Sequence, residues 1–185
     1  MVRIGLIVEG FYDEAALSEF VRKSASFDVE VICRTCGNAI QVMKKFPALL
    51  KQFEHANAGR PVDKAIVIRD ADHKNPDELI ANMNDKISGR SYSFPVDLLV
   101  VVEEMEAWLL ADETALVTVT GRPQQRVLSP ETIYDPKVRL KNILSNSRIT
   151  YTAERARQIA GASNIDVLSE RCPNFQKFRE AVVRG

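Results

Sequence analysis

The feature that most constrains the fold of this chain is a unit of an apolar run, a short turn and an amphipathic stretch, which occurs three times. Apolar runs at residues 2–8, 29–33 and 65–68 are each followed by apolar residues at helical spacing. A fourth run, at residues 96–102, is apolar without alternation, which is typical of a strand covered on both faces. Strands that alternate with helices over short connections predict an α/β fold with a four-stranded parallel sheet and flanking helices.

The chain changes character after Ala111, because no long aliphatic run follows. Asp135 as N-cap and Pro136 at the first helical position predict the start of a helix there. We therefore expect an α/β core at residues 1–115 and a helical C-terminal extension at residues 116–185, packed on the same domain. The helices predicted in this extension cover residues 136–144, 153–160 and 174–183.

The composition predicts a globular protein of the cytoplasm. The chain has 185 residues, of which 45% are hydrophobic, so it can bury a sizeable core. Its aliphatic runs are too short to span a bilayer or to form the core of a signal peptide, and we expect no membrane association. Three cysteines do not make a disulfide framework and fit a reducing compartment.

The charges are segregated along the chain although the formal net charge is zero. Residues 1–120 contain 13 Lys and Arg against 19 Asp and Glu, whereas residues 121–185 contain 12 against 6. An acidic metal site combined with a basic arm for a phosphate ligand produces this asymmetry, and so do solvated helix faces. The counts alone leave both interpretations open.

Acidic residues follow the predicted strands at the edge where open parallel sheets bind their ligands. Glu9 follows the first strand, and Asp70 and Asp72 follow the third. Carboxylates two residues apart in an extended segment point to the same side, which suits Mg²⁺. A single acid after a strand is more often structural, but clustered acids repel one another and favour a cation. The fourth strand is followed by three further candidates, Glu103, Glu104 and Glu106.

Three residues are candidates for phosphate contacts. Gly10 directly after Glu9 allows a sharp turn and a close approach to a ligand, and the helix that follows presents its N-terminus to an anion. Lys137 could stabilise charge that develops on a phosphate near the metal. Arg139, in the same predicted helix, is a further phosphate contact, although such cations are also typical of an ordinary helix surface.

Two conspicuous side chains receive structural interpretations. Trp108 lies at helical spacing with Met105 and Leu109, which predicts core packing rather than base stacking. His73 directly follows the Asp-x-Asp pair, but a lone loop histidine is more often solvated.

Several motifs together resemble a known family. Residues 7–10 (Ile-Val-Glu-Gly), the acidic pair at 13–14 and residues 68–72 (Ile-Arg-Asp-Ala-Asp) resemble the TOPRIM domain of topoisomerases, primases and overcoming-lysogenization-defect nucleases. Residues 104–112 (Glu-Met-Glu-Ala-Trp-Leu-Leu-Ala-Asp) and 135–137 (Asp-Pro-Lys) are similar to a family of short standalone TOPRIM-like bacterial proteins of unassigned function. The resemblance covers nearly the whole chain.

The resemblance implies roles for the acidic residues. Glu9 matches a glutamate that acts as general acid or base, and Asp70 and Asp72 match a pair that binds Mg²⁺ or Mn²⁺. Glu106 is implied as an additional ligand or a support for the site, a role for which Glu103 and Glu104 compete. Relatives with nuclease activity commonly carry an ATPase domain, but this sequence has no phosphate-loop motif, so the protein either works alone or relies on a separate ATPase partner.

Two functions of different classes follow from these expectations. The first is metal-dependent phosphodiester hydrolysis, with the protein acting as a nuclease on nucleic acid. The alternative is a non-catalytic module that binds a nucleotide or a separate ATPase, in an anti-phage system as the resemblance implies. Fold alone does not separate the two, and the sequence leaves DNA, RNA and small phosphoesters open as substrates.

Overall fold

The structure is a computed structural model that describes residues 1–184, apart from the side chains at positions 57 and 58. Its centre is a four-stranded sheet in which all strands are parallel and follow the order β2-β1-β3-β4. This arrangement confirms the α/β fold that the alternating apolar runs predict. The strands are β1 (Val2–Val8), β2 (Val29–Thr35), β3 (Lys64–Asp70) and β4 (Val96–Val101).

Helices cover both faces of this sheet. The C-terminal helices confirm the predicted helical extension, although two helices that the sequence did not predict, Glu113–Thr120 and Ile165–Arg171, are too short to show a clear periodicity. The boundary expected at residues 115 and 116 lies inside the first of these helices. The helices are α1 (Phe11–Ser24), α2 (Ala39–Phe53), α3 (Ala56–Gly59), α4 (Pro76–Ile87), α5 (Glu106–Leu109), α6 (Glu113–Thr120), α7 (Pro136–Asn146), α8 (Ala153–Ala162), α9 (Ile165–Arg171) and α10 (Pro173–Val183).

The sheet separates two hydrophobic cores. Side chains alternate along β1, so Leu6 enters the core beneath α1, whereas Ile7 enters the core beneath α2 and α4. Gly5 also faces α2, because a Cβ built there would lie 2.6 Å from the Phe53 ring. Glycine therefore allows α2 to pack closely against the centre of the sheet.

The C-terminal helices complete the core on the α1 side. Trp108, predicted as a packing residue, is 1% exposed, and its ring lies edge-on to Phe175 with 5.1 Å between the ring centroids. The end of α10 is held to the start of β3, because Lys64 Nζ donates hydrogen bonds to the carbonyls of Ala181 at 2.9 Å and Val182 at 3.2 Å. This packing leaves α7 and the segment before α8 beside the carboxyl ends of the strands.

No helix within residues 1–184 combines the length and the apolar composition that a membrane span requires.

Candidate functional site

Four acidic side chains from different elements converge at the carboxyl edge of the sheet, and we call them the carboxylate cluster: Glu9, Asp13, Asp70 and Glu106. Glu9 follows β1, Asp70 ends β3 and Glu106 begins α5 after β4, so the parallel topology brings these three together. Asp13 joins them from the first turn of α1. Each of the other three carboxylates contributes to raising the pKa of Asp70.

Glu9 and Asp70 are joined across the sheet. Glu9 Oε1 accepts a hydrogen bond of 2.9 Å from the backbone N–H of Asp70. The carboxylate of Asp70 in turn accepts one of 3.1 Å from the backbone N–H of Met105, which follows β4. These bonds link three strand ends and fix the orientation of both carboxylates.

Burial dominates the electrostatics of this pair. Asp70 is 8% exposed, and its burial, followed by the charges of Asp13 and Glu9, raises its pKa well above the ordinary value. Burial also raises the pKa of Glu9, although its hydrogen bond from Asp70 opposes this. Loss of water disfavours a charged carboxylate, and neighbouring carboxylates add to the effect, so the cluster favours binding of a proton or a cation.

Asp13 is a member of the cluster that the sequence analysis did not single out as a site residue. Its Oδ2 accepts a hydrogen bond of 2.8 Å from the backbone N–H of Gly10, which is the N-cap of α1. Burial, and then the carboxylate of Glu106, raise the pKa of Asp13 to about 7. An acidic residue three positions after an N-cap usually caps the helix. The sequence pattern at Asp13 therefore indicated a capping residue and not a site residue.

Gly10 does not make the sharp turn for which a glycine was expected at this position. Its backbone is extended, with φ −145° and ψ −175°, a conformation that any residue adopts. A Cβ built there would meet Asp13 Oδ2 at an ordinary 3.7 Å. The N–H of Gly10 is also occupied by Asp13, so it does not point freely at a phosphate.

The geometry expected for Asp70 and Asp72 is wrong as well. We expected an extended segment with both carboxylates on one side, but β3 ends at Asp70 and the chain then turns. Asp72 has φ 49° and His73 has φ 63°, both in the left-handed region, and the N–H of Asp72 donates to the carbonyl of Glu103 at 3.3 Å. Asp70 is consequently buried in the cluster, whereas Asp72 is exposed beside it.

The three glutamates after β4 have different surroundings. Glu106 is fully buried and belongs to the cluster. Glu104 Oε2 accepts a hydrogen bond of 2.9 Å from the backbone N–H of Lys137 and so caps α7. Asp135 occupies the N-cap position as predicted but makes no side-chain capping bond, because Glu104 takes the N–H. Glu103 pairs with His73 instead.

Glu106 is held by two residues from the C-terminal extension. Its Oε1 lies 3.1 Å from Lys137 Nζ and accepts a hydrogen bond of 3.1 Å from the Tyr151 hydroxyl. Burial lowers the pKa of Lys137, but the carboxylate of Glu106 outweighs this and the pKa rises to about 12. The other carboxylate oxygen, Oε2, is buried and has no hydrogen-bond partner among the described residues. Lys137 therefore lies where the sequence analysis expected it, and Tyr151 is an additional contact from a distant segment.

The structure does not bring Arg139 to the cluster. Arg139 is exposed on α7, two residues beyond Lys137. Two residues span about 200° around an α-helix, so the two side chains leave α7 on roughly opposite sides. A phosphate that contacts the cluster and Lys137 would therefore lie on the opposite side of α7 from Arg139.

A second group of polar residues surrounds the opening of the cluster, and we call it the outer rim: Asp72, His73, Glu103, Tyr134 and Asp135. His73 Nδ1 lies 2.5 Å from Glu103 Oε2, and Nε2 lies 3.7 Å from Asp135 Oδ1. The His73 ring also stacks on Tyr134, with 4.1 Å between centroids and 10° between planes. His73 is exposed as expected, but it is held in place by these neighbours.

The described residues form no closed metal site, although their oxygen donors would suit an open one. Among residues 1–184 no group of three or more His, Cys, Asp or Glu side chains is arranged to hold a metal ion. Mg²⁺ is usually held by one or two carboxylates, while water and substrate phosphate complete its coordination. The donors here are all carboxylate oxygens, which suit Mg²⁺ and Mn²⁺. The unpartnered Glu106 Oε2 and the raised pKa of Asp70 indicate that the cluster holds more carboxylate charge than Lys137 alone balances.

Comparison with known proteins places the whole site within one family. No curated protein and no solved structure matches the chain. Residues 8–182 match the family model described as a domain of unknown function, DUF4276. This match begins before Glu9 and extends beyond α9, so it contains every residue of the carboxylate cluster and of the outer rim. The chain belongs to the DUF4276 family.

Proposed function

We propose that this protein is a Mg²⁺- or Mn²⁺-dependent phosphodiesterase that acts as a nuclease on nucleic acid. The observation that carries the proposal is the convergence of four carboxylates from three strand ends and one helix around a single lysine. The cluster offers only oxygen ligands, its carboxylates repel one another, and it lies at the edge where parallel sheets bind their ligands. These properties suit a divalent cation and a phosphate. The TOPRIM-like motifs around Glu9, Asp70 and Asp72 support the same chemistry.

In this proposal Asp70 and Asp72 hold the ion, and Glu106 supports it from the buried side. Bound there, Mg²⁺ would supply positive charge that polarises a phosphoryl oxygen. The different exposure of Asp70 and Asp72 suits this division, because one carboxylate is held rigidly by Met105 and the other faces incoming solvent and substrate. Water and phosphate would complete the coordination that the protein leaves open.

Glu9 and Lys137 have separate roles. Burial raises the pKa of Glu9 above that of an ordinary glutamate. A raised pKa makes the carboxyl a better base, which suits a group that takes up and releases a proton during hydrolysis. Lys137 is the cation that can stabilise negative charge on the phosphate, and its raised pKa keeps it protonated. Before substrate binds, the same ammonium group neutralises Glu106 at 3.1 Å.

The alternative function is a non-catalytic module that binds a nucleotide or a separate ATPase. Two observations favour it: Lys137 already neutralises Glu106, and the described residues contain no group of three metal-binding side chains. The protein itself thus neutralises part of the negative charge of the cluster. Such a module would not need a divalent cation.

Cleavage assays test the proposal directly. Supercoiled plasmid, single-stranded DNA and RNA are incubated with Mg²⁺ or Mn²⁺ and with wild type, Glu9→Gln, Asp70→Asn or the control Asp85→Asn. Asp85 is an exposed acid of α4, away from the cluster, so its replacement should leave activity unchanged. Metal-dependent cleavage that both cluster variants lose would support the nuclease. Absence of metal-dependent cleavage, or equal cleavage by all four proteins, would favour the non-catalytic module.

A further inference from the structure

Solvent-exposed aromatic rings are concentrated next to the carboxylate cluster. In the described part of the chain three aromatic side chains are exposed: Phe11 at 70%, Tyr12 at 36% and Tyr134 at 67%. Phe11 and Tyr12 directly follow Glu9 and Gly10, while Tyr134 stacks on His73 of the outer rim. Grouped exposure of large apolar side chains marks interaction sites more often than isolated exposure does.

Tyr134 forms a rigid platform on one side of the cluster. Its ring is nearly parallel to that of His73, with an angle of 10° and a centroid distance of 4.1 Å. His73 is in turn held between Glu103 and Asp135. Since His73 covers one face and Tyr134 is still 67% exposed, a third planar ring can extend the stack on the other face.

Phe11 provides a second exposed ring, in a different environment from Tyr134. It lines a cavity of about 580 Å³ between α1, β2 and α8, whose apolar wall includes Val31 and Cys33. The charged residues that line this cavity are balanced, two arginines against two glutamates: Arg22, Arg157, Glu14 and Glu19. A cavity with balanced charge suits an uncharged ring better than a phosphate.

Tyr12 has a structural role between these two surfaces. It packs against Tyr151 with 4.9 Å between the ring centroids, and Lys137 Nζ lies 5.6 Å from the centre of its ring. These contacts hold it over the cluster, so it is the least exposed of the three rings. Phe11 and Tyr134 are consequently the two rings that are free to contact a ligand.

We propose that the ligand is a single strand of nucleic acid, with one unpaired base stacked on Tyr134 and another on Phe11. The placement of the intervening phosphate at the carboxylate cluster rests on the proposed function. Single strands are bound through aromatic platforms because their bases expose ring faces. The bases of a duplex are stacked on one another, so a duplex would not use either platform.

Binding of fluorescent 12-mers, measured by anisotropy in Mg²⁺, tests this inference. The protein carries Glu9→Gln to prevent cleavage, and the ligands are single-stranded DNA, single-stranded RNA and duplex DNA. We expect single strands to bind more tightly than the duplex, and Phe11→Ala and Tyr134→Ala each to weaken single-strand binding by about 5- to 100-fold. The DNA and RNA arms show which strand is preferred.

Matched variants separate stacking from general effects. Phe11→Tyr and Tyr134→Phe keep a ring and should keep the affinity. Val183→Ala, at a 43% exposed residue of α10 near the opposite edge of the sheet, should change nothing. The inference is overturned if the alanine variants bind single strands as tightly as the ring-keeping variants, or if the duplex binds best.

A small substrate distinguishes this inference from the proposed function. Bis(p-nitrophenyl) phosphate is a phosphodiester without bases, and its metal-dependent cleavage by wild type tests the hydrolysis alone. Cleavage of this ester with ring-independent strand binding would overturn the inference and support the phosphodiesterase. Ring-dependent strand binding without any cleavage would support the inference and count against hydrolysis.

Discussion

The carboxylate cluster and the outer rim lie next to each other at one edge of the sheet, but they accommodate negative charge differently. In the cluster, burial and neighbouring carboxylates raise the pKa of Asp70 well above its ordinary value and that of Asp13 to about 7. In the rim, the carboxylates of Glu103 and Asp135 flank His73, and water reaches both side chains, of which Glu103 is 22% exposed and Asp135 is 53% exposed. Charge in the cluster is therefore costly to maintain, whereas water screens the charge in the rim.

This difference separates two requirements of a phosphate site. A cluster of four carboxylates beside one lysine has excess negative charge, which favours the binding of a cation. A rim that is screened and exposed contributes little to stability and is available to the ligand. Variants of the two regions should consequently have different effects on stability.

The largest effect should follow removal of the only lysine that contacts the cluster in the described chain. Lys137→Met leaves the fully buried Glu106 without its ion pair, and we expect a loss of about 2–4 kcal/mol in the free energy of unfolding, since Lys137 is itself partly exposed. Urea unfolding at neutral pH measures it. Lys141→Met, at an exposed lysine of the same helix, is the control.

A second replacement checks that this loss arises from the unpaired charge. The double variant Lys137→Met with Glu106→Gln removes both charges and should recover most of the stability. If the double variant is as unstable as the single one, packing of the lysine stem explains the loss and the charge argument is wrong.

A smaller, pH-dependent effect is expected at Asp13. Its pKa is raised from 3.8 to about 7, so the folded state binds this proton more tightly than the unfolded state does. The cost of ionised Asp13 is present above pH 7 and disappears as the pH falls below 7 towards 4. Asp13→Asn keeps the acceptor for the Gly10 N–H and should stabilise the protein by about 1–3 kcal/mol at pH 8.5.

Urea unfolding of Asp13→Asn at pH 5 and pH 8.5, in the presence of a chelator, measures this dependence. At pH 5 the carboxyl is protonated in the folded state but still mostly ionised in the unfolded state, so the stabilisation by Asp13→Asn should be clearly smaller than at pH 8.5 and should vanish only towards pH 4. Asp85→Asn controls for an exposed acid. A stabilisation of equal size at both pH values would show that the charge of the Asp13 carboxylate does not destabilise the folded protein.

The smallest effect should come from the rim. His73→Asn removes the contacts with Glu103 and Asp135 and the stack on Tyr134, while asparagine tolerates the left-handed conformation with φ 63°. We expect a change of less than about 1 kcal/mol in the free energy of unfolding, because these contacts are partly exposed to solvent. A loss above 2 kcal/mol in urea unfolding would mean that the rim is as structurally important as the cluster.

The parts of this site that depend on strand ends were predictable from the sequence. Glu9 and Asp70 each follow or end an apolar run, so the parallel sheet must bring them to one edge. These two predictions required only local patterns and the general geometry of parallel sheets. Lys137 was singled out as a cation that could stabilise charge on a phosphate, and the Asp-Pro-Lys motif that contains it was part of the family resemblance.

The remaining features depend on contacts between distant segments. The turn at Asp72 is bonded to Glu103, 31 residues further along the chain, so its left-handed conformation leaves no local signal. Tyr151 reaches Glu106 only because α8 packs on α1. The position of Arg139 is a different case, since its spacing from Lys137 already indicates the other side of the helix.

The central claim is that the carboxylate cluster binds a divalent cation, and the melting temperature as a function of Mg²⁺ concentration tests it most directly. At a concentration about 100 times its Kd, Mg²⁺ should raise the melting temperature of wild type by about 5–10 °C. Without metal, Asp70→Asn should have a higher melting temperature than wild type, because it removes one of the carboxylates that repel one another in the cluster. Its melting temperature should not respond to Mg²⁺. An equal response of both proteins, or none in wild type at matched ionic strength, would contradict the account.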